Sequence, residues 1–197
     1  MPEAAGCPRL RADARRNIEK LRQAAADAFS EHGLDTPLEV IAKLAGVSVG
    51  TIYNRFGSRD ALLDVVVTEL ADRLVNRALA ATETRHGPWE RLLTFVETTC
   101  QSQAADPAFN DAISRRYPNA PALKAVCDRS LAFAAELAAA AQAEGTLRGD
   151  VGADDIGRIF QVNGDLVRAG EDLGRRRVLA LLVEGLRARP EAAPLPL

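Results

Sequence analysis

The 197-residue chain is predicted to be all-helical. Three observations carry this. Alanine, leucine and arginine dominate the sequence, and all three favour helix. Runs of alternating β-branched residues, the mark of strands, are absent. Glycine and proline fall at intervals that divide the chain into about nine segments of helical length.

The first helix begins in a basic leader that contains Arg9, Arg11, Arg15 and Arg16, and it ends at His32, where Gly33 is the expected left-handed stop. Ile18, Leu21, Ala25, Ala28 and Phe29 give it one apolar face. Thr36 is expected to cap a short second helix, with Pro37 in its first turn and Glu39 completing a capping box. Gly46 stops that helix, and Ser48 caps a third that runs to Phe56. After the break at Gly57, Ser58 caps a long fourth helix over 59–84, with Leu62, Leu63, Val66, Leu70, Leu74 and Ala78 as its apolar residues. His86, Gly87 and Pro88 mark the next break and the expected boundary between two functional halves. Further helices are expected over 89–104, 107–116, 121–144, 154–170 and 175–189, followed by a frayed, proline-bearing tail.

Composition excludes several functions. Three cysteines (Cys7, Cys100 and Cys127) and two histidines (His32 and His86) are too few and too scattered for a disulfide framework or a structural zinc site. No cofactor is expected. No nucleophile elbow or phosphate loop is present, which leaves an enzyme as the weaker alternative. The N-terminus lacks the apolar core of a signal peptide, and charges interrupt every apolar stretch. A soluble cytoplasmic protein with no membrane partner is expected. Buried, inert thiols are the expected state of Cys100 and Cys127, against a redox role.

The net charge of −2 argues at first against a nucleic-acid partner. Its distribution reverses that reading. Residues 9–22 hold six basic side chains against two acidic ones, and 43–59 hold Lys43, Arg55 and Arg59 with no acid. From residue 61 onward, 16 basic residues face 19 acidic ones. The near-neutral total averages a basic N-terminal end with a mildly acidic body.

The run from Ala45 through Gly46 and Val47 to Ser48 joins two short helices in a helix-turn-helix pattern. Gly46 supplies the positive φ of the turn, and Ile41, Ala42, Ala45 and Val47 can pack the two helices together. At about 100° per residue, Ile52 and Phe56 share one side of the second helix, while Gly50, Thr51, Tyr53 and Asn54 spread over the other. Such a face suits a DNA major groove. Thr51 and Asn54 can reach base edges or phosphates, Asn being a bidentate partner for adenine. Gly50 permits close backbone approach, and Tyr53 can donate to a phosphate oxygen. Arg55 and Arg59 flank the face as phosphate donors, Arg59 at the start of a helix. The same pattern also fits a well-capped structural bundle, and both readings stand on the pattern alone.

The sequence from Thr36 to Leu63, TPLEVIAKLAGVSVGTIYNRFGSRDALL, resembles the N-terminal DNA-binding domain of the TetR family of transcriptional regulators. Ala24, Ala25 and the run from Phe29 to Gly33 fit the family's first helix, so that the resemblance covers about residues 15 to 65. It implies a three-helix, helix-turn-helix DNA-binding domain with a basic N-terminal arm over 1–60, followed by a larger helical domain over 61–197 that binds a small effector and dimerises. Function is then expected to be that of an effector-released repressor on a palindromic operator, with double-stranded DNA, an unknown small molecule and a second copy of the chain as partners. The alternative is a small-molecule-binding protein or enzyme on the same scaffold without DNA binding.

The resemblance implies DNA contacts from Thr36, from Ser48, Val49, Gly50, Thr51, Tyr53 and Asn54, and from Arg59, beside Arg16 of the basic leader and Arg55. The chain has Arg55 where the family often has histidine, and Arg59 where it often has lysine. Asn54 stands at a position that is often basic, which moves it from phosphate binding toward base reading. The effector cavity is expected within 89–144, with Trp89, Phe95, Cys100, Phe109, Ile113, Tyr117, Cys127 and Phe133 as lining candidates that also fit plain core. Thr99, Arg115, Gln161 and Asn163 are polar candidates. The last two helices are expected to form the dimer interface through Ile156, Ile159, Phe160, Val167, Leu179, Leu182 and Leu186.

Overall fold

The computed structural model describes residues 8–115, 117–189 and 193–196, with side chains from residue 16 onward. Cys7, the side chains of Arg9, Arg11 and Arg15, the expected helix end at Arg116 and part of the tail lie outside the described residues. Nine α-helices make up the described chain: α1 (Pro8–His32), α2 (Leu38–Ala45), α3 (Val49–Phe56), α4 (Arg59–Glu83), α5 (Pro88–Ala105), α6 (Pro107–Ser114), α7 (Pro121–Ala143), α8 (Ala153–Arg168) and α9 (Asp172–Gly185).

Local chemistry sets most boundaries. Ser48 accepts the Thr51 N–H at 3.1 Å, Ser58 accepts that of Ala61 at 3.0 Å, and Asp106 accepts that of Phe109 at 3.0 Å. Each satisfies a donor that the first turn of a helix leaves open. Pro88, Pro107 and Pro121 occupy first turns, where a missing N–H costs nothing. Gly33 ends α1 with φ +82, and the place a Cβ would take lies 2.7 Å from an oxygen of Asp111, so glycine is required there twice over.

Helices α2 and α9 differ from the expectation. Thr36 does not cap α2. Its hydroxyl donates to the carbonyls of Gly33 (2.7 Å) and Ala28 (3.3 Å), closing the end of α1 instead. The cap position falls to Pro37, with no side-chain hydrogen bond and no capping box from Glu39. Helix α9 starts earlier than residue 175 and ends before 189. After Gly185 the backbone pairs with the 146–148 segment: Arg148 N–H donates to Leu186 and Ala188 N–H to Thr146, both at 3.0 Å, around an antiparallel bridge between Leu147 and Arg187.

The helices pack around two apolar clusters. One joins α1, α2, α3 and the first half of α4 to Ala108, Phe109 and Ala112 of α6 and to Leu123 and Val126 of α7. The other joins α5, α8 and the second half of α7, with Trp89, Phe95, Phe160 and Leu186 among its members. The first cluster crosses residue 60 without a break, so the three N-terminal helices share their interior with the body.

Candidate DNA-binding face and cavity

Helices α2 and α3 form the expected helix-turn-helix. Gly46 sits in the left-handed region at φ +68, and the Val47 N–H donates back to the Ala42 carbonyl at 2.9 Å. Ile52 is fully buried beneath α3 and Phe56 half-buried. Gly50, Tyr53, Asn54 and Arg55 are exposed. Residues at spacing i, i+3, i+4 share a helix face, so Gly50, Tyr53 and Asn54 form one outward stripe. Ser48 is exposed and Val49 half-buried, and Thr51 is half-buried with its hydroxyl 3.0 Å from that of Ser48. A Cβ added at Gly50 would meet only the Ser48 hydroxyl oxygen, at an ordinary 3.6 Å. The protein's own packing therefore does not demand glycine here. Arg16 is exposed on α1.

Two expected contacts are placed differently. Thr36 is 4% exposed, and its hydroxyl is committed to backbone carbonyls, so it offers no outward side-chain donor. Arg59 turns inward. Its guanidinium donates to the carbonyl of Leu34 and lies 6.0 Å from the centre of the Phe29 ring. A buried carbonyl next to the end of α1 needs a donor, and Arg59 is the group that reaches it. Arg55 is the exposed guanidinium beside the α3 stripe.

A cavity of about 500 Å³ lies between α6, the 115–118 connection, α7 and α8. Of the expected lining residues, Ile113, Tyr117 and Cys127 are there, and so are the polar candidates Arg115 and Gln161. The others are elsewhere. Phe95 packs edge-on against Phe133 (5.4 Å between ring centres) and Phe160 (6.2 Å), which makes these rings core. Trp89 lies under the Arg187 guanidinium at 4.5 Å, and Phe109 belongs to the first apolar cluster. Asn163 is spent on a buried network, donating to Gln103 at 2.9 Å and accepting from Arg175 at 3.2 Å. Cys100 is buried, and burial raises its thiol to about 12. Cys127, raised to about 11 chiefly by burial, donates its S–H to the Ala112 carbonyl at 3.3 Å.

Sequence reasoning passed over Lys124, Asp128, Leu131, Asp154, Gly157 and Arg158 on the cavity wall. The small Gly157 and polar Gln161, one turn apart on α8, were the available signal. Aromatic residues announce burial, not a void.

The expected dimer residues are also redistributed. Ile156, Ile159, Phe160 and Leu186 are buried inside the chain itself, and Phe160 additionally lines the cavity. Val167 and Leu179 are half-buried and Leu182 is exposed. The large apolar side chains that stand out on the last two helices are Leu173 (76% exposed), Leu181 (71%), Val162 and Leu182. Apolar weight in these two helices serves an interior first, because α8 packs on α5, α6 and α7 as well as on α9. Among the described residues no helix is long and apolar enough to cross a membrane.

Residues 21–66 match the family of bacterial regulatory proteins of the tetR type, and residues 87–188, more than half of the chain, match the C-terminal domain of SbtR-like transcriptional regulators. The chain belongs to the TetR family. As a member it is a helix-turn-helix DNA-binding transcriptional regulator, of a family that is not enzymatic. Over 71 residues this TetR-family chain is 39% identical to the HTH-type transcriptional regulator AlkX of Mycobacterium tuberculosis, a stretch covering 36% of this chain and 34% of that relative. Aligned in this way, the chain spans about a third of the relative's length. Its fold is similar to that of the fatty acid degradation regulator FadR of Bacillus halodurans, with TM-score 0.61 and 23% identity over 86% of this chain and 100% of that one. It is similar also to the ketosteroid regulator KstR2 of Mycobacterium tuberculosis, with TM-score 0.61 and 22% identity over 88% and 96%. The TetR regulator SCO0520 of Streptomyces coelicolor is 27% identical with TM-score 0.53, over 86% and 98%.

Proposed function

We propose that this regulator represses transcription by binding a palindromic operator as a symmetric dimer, and that a small molecule in the cavity releases it. The observation that carries this reading is the outward stripe of Gly50, Tyr53 and Asn54 on a Ser48-capped helix whose inner side is pinned by buried Ile52. A short polar face on a fixed helix is what groove reading requires. Asn54 reads a base edge, Tyr53 and Arg55 hold phosphates, and Gly50 leaves room for the groove wall. Exposed Leu173, Leu181, Leu182 and Val162 supply an apolar surface for a second copy. Two recognition helices set about 34–36 Å apart then read two half-sites, and a change in that spacing lowers affinity for both together.

The test is retardation and footprinting of DNA from upstream of the regulator's own gene. A two-fold symmetric footprint that gene expression shows to be repressive is expected. A purified chain that retards no such fragment at low salt, or an asymmetric single footprint, defeats the proposal.

A further inference from the structure

The cavity wall and the helix-turn-helix unit meet at the α6–α7 corner. Arg115, on the cavity wall, donates from Nη1 to Asp35 Oδ2 at 2.6 Å, and Asp35 lies in the α1–α2 turn. One helical turn earlier, Asp111 accepts the Leu34 N–H of the same turn at 2.8 Å and lies 3.3 Å from Arg115 Nε. The Leu34 carbonyl in turn receives Arg59 at the head of α4. On the far side of the corner, the Leu123 N–H donates to Asp64 of α4 at 2.8 Å. A group that moves Arg115 thus acts directly on the turn that positions α2 and α3.

The same wall holds an unused donor. Tyr117 lines the cavity beside Arg115, and its buried hydroxyl finds no acceptor for its proton. Burial, helped by the nearby Asp111 charge, raises it to about 12, so it stays a neutral O–H donor. A buried hydroxyl without a partner is costly and marks a place where a ligand acceptor is welcome. Arg158, also on the wall, pairs with no carboxylate among the described residues. Of the two acids present, Asp128 is committed to Lys124, and Asp154 sits in the first turn of α8. Ile113, Cys127 and Phe160 give the cavity an apolar part.

The balance of partners favours exchange. The Asp35 side chain is 79% exposed, and an ion pair so close to water is weak. A carboxylate received inside the cavity gains a charge-assisted bond in a drier setting, where such bonds are stronger. Resting on the regulator reading above, we propose that the cavity takes an amphipathic organic carboxylate. Its acid group is held by Arg115 and the Tyr117 hydroxyl, and drawing Arg115 from Asp35 loosens the α1–α2 turn.

The full chain is titrated with octanoate, with 1-octanol and octylamine as neutral and cationic matches, while amide hydrogen exchange is followed at residues 33–36. Octanoate is expected to bind at least tenfold more tightly than either match and to speed exchange at 33–36. D35N, which alters only an exposed side chain, is expected to bind octanoate about two- to five-fold more tightly, because linkage is reciprocal and the competitor is gone. R115Q is expected to lose the preference for octanoate over octanol. Failure of octanoate to bind, equal binding of octanol, preferred binding of octylamine, unchanged exchange at 33–36, or D35N binding no tighter each overturns the proposal. Retardation of upstream DNA by the ligand-free chain is measured in parallel. Loss of that signal with octanoate binding intact counts against the regulator reading alone, and the reverse pattern counts against the ligand assignment alone.

Discussion

The carboxylate of Asp111 accepts the backbone N–H of Leu34 at 2.8 Å, joining residues 77 positions apart. Only 7% of that side chain is exposed, and it also holds Arg168 at 3.2 Å. Asp111→Ala is expected to cost about 2–3 kcal/mol, because a buried N–H and two guanidinium groups lose their acceptor. Asp111→Asn is expected to cost less, since one acceptor oxygen remains. Urea midpoints of the two variants check this, and equal losses would show that acceptor chemistry at this position is unimportant.

Arg59 and Arg55 separate a structural guanidinium from a DNA-facing one. Arg59→Ala is expected to destabilise the chain by about 1–3 kcal/mol, through the orphaned Leu34 carbonyl and the lost contact with Phe29. The salt dependence of its DNA binding is expected to stay nearly that of the parent. Arg55→Ala is expected to leave stability unchanged and to reduce the salt slope by about one unit per site. An Arg59 variant of full stability with a reduced slope would exchange the two roles.

Gly50 and Asn54 test the recognition face. With only an ordinary contact to the Ser48 hydroxyl oxygen at the Gly50 Cβ position, Gly50→Ala is expected to raise stability by roughly 0.5–1 kcal/mol through helix propensity. DNA affinity is expected to fall at the same time, a pairing of effects that a merely structural glycine does not give. Asn54→Ala is expected to relax sequence preference at one position per half-site, by about 1–3 kcal/mol. Unfolding curves and binding to a set of single-base operator variants report both.

Leu181 lies 71% exposed on α9. Leu181→Glu is expected to convert a dimer to a monomer in sedimentation experiments while leaving helix content unchanged. A variant that stays dimeric assigns the interface to another surface.

Cys100, Cys127 and Tyr117 predict a loss of stability at alkaline pH. Burial raises the thiols from 9.0 to about 12 and about 11, and the phenol from 10.0 to about 12. The unfolded chain releases these protons first. Their contribution is therefore complete below pH 9 and is lost as pH climbs toward the folded values. Cys127→Ala is expected to flatten the fall of the urea midpoint between pH 9 and about 11. Thiol labelling at pH 8 is expected to be slow until urea unfolds the chain, and fast native labelling of Cys100 would contradict its burial.

The recognition unit was legible because its determinants are local. Gly46 and Ser48 act on their own neighbours, and a period of about 3.6 residues per turn separates buried Ile52 from exposed Tyr53 and Asn54. The cavity was less legible. Its wall comes from α6, α7 and α8, and a void is the space left by packing, which no periodicity marks. Asn163 and Phe160 show the difficulty: the first enters a buried hydrogen-bond network, and the second serves the core and the cavity at once.

What the sequence determined by itself was the all-helical class, the Ser48 and Ser58 caps, the turn and the outward face of α3, since each depends on residues within a few positions of one another. What only the tertiary structure decided was the inward turn of Arg59, the burial of Thr36, the site of the cavity and the Asp35–Arg115 link. Those last two residues are 80 positions apart. Such pairings follow from how finished helices settle against each other, and a charged side chain takes whichever partner that packing brings within reach.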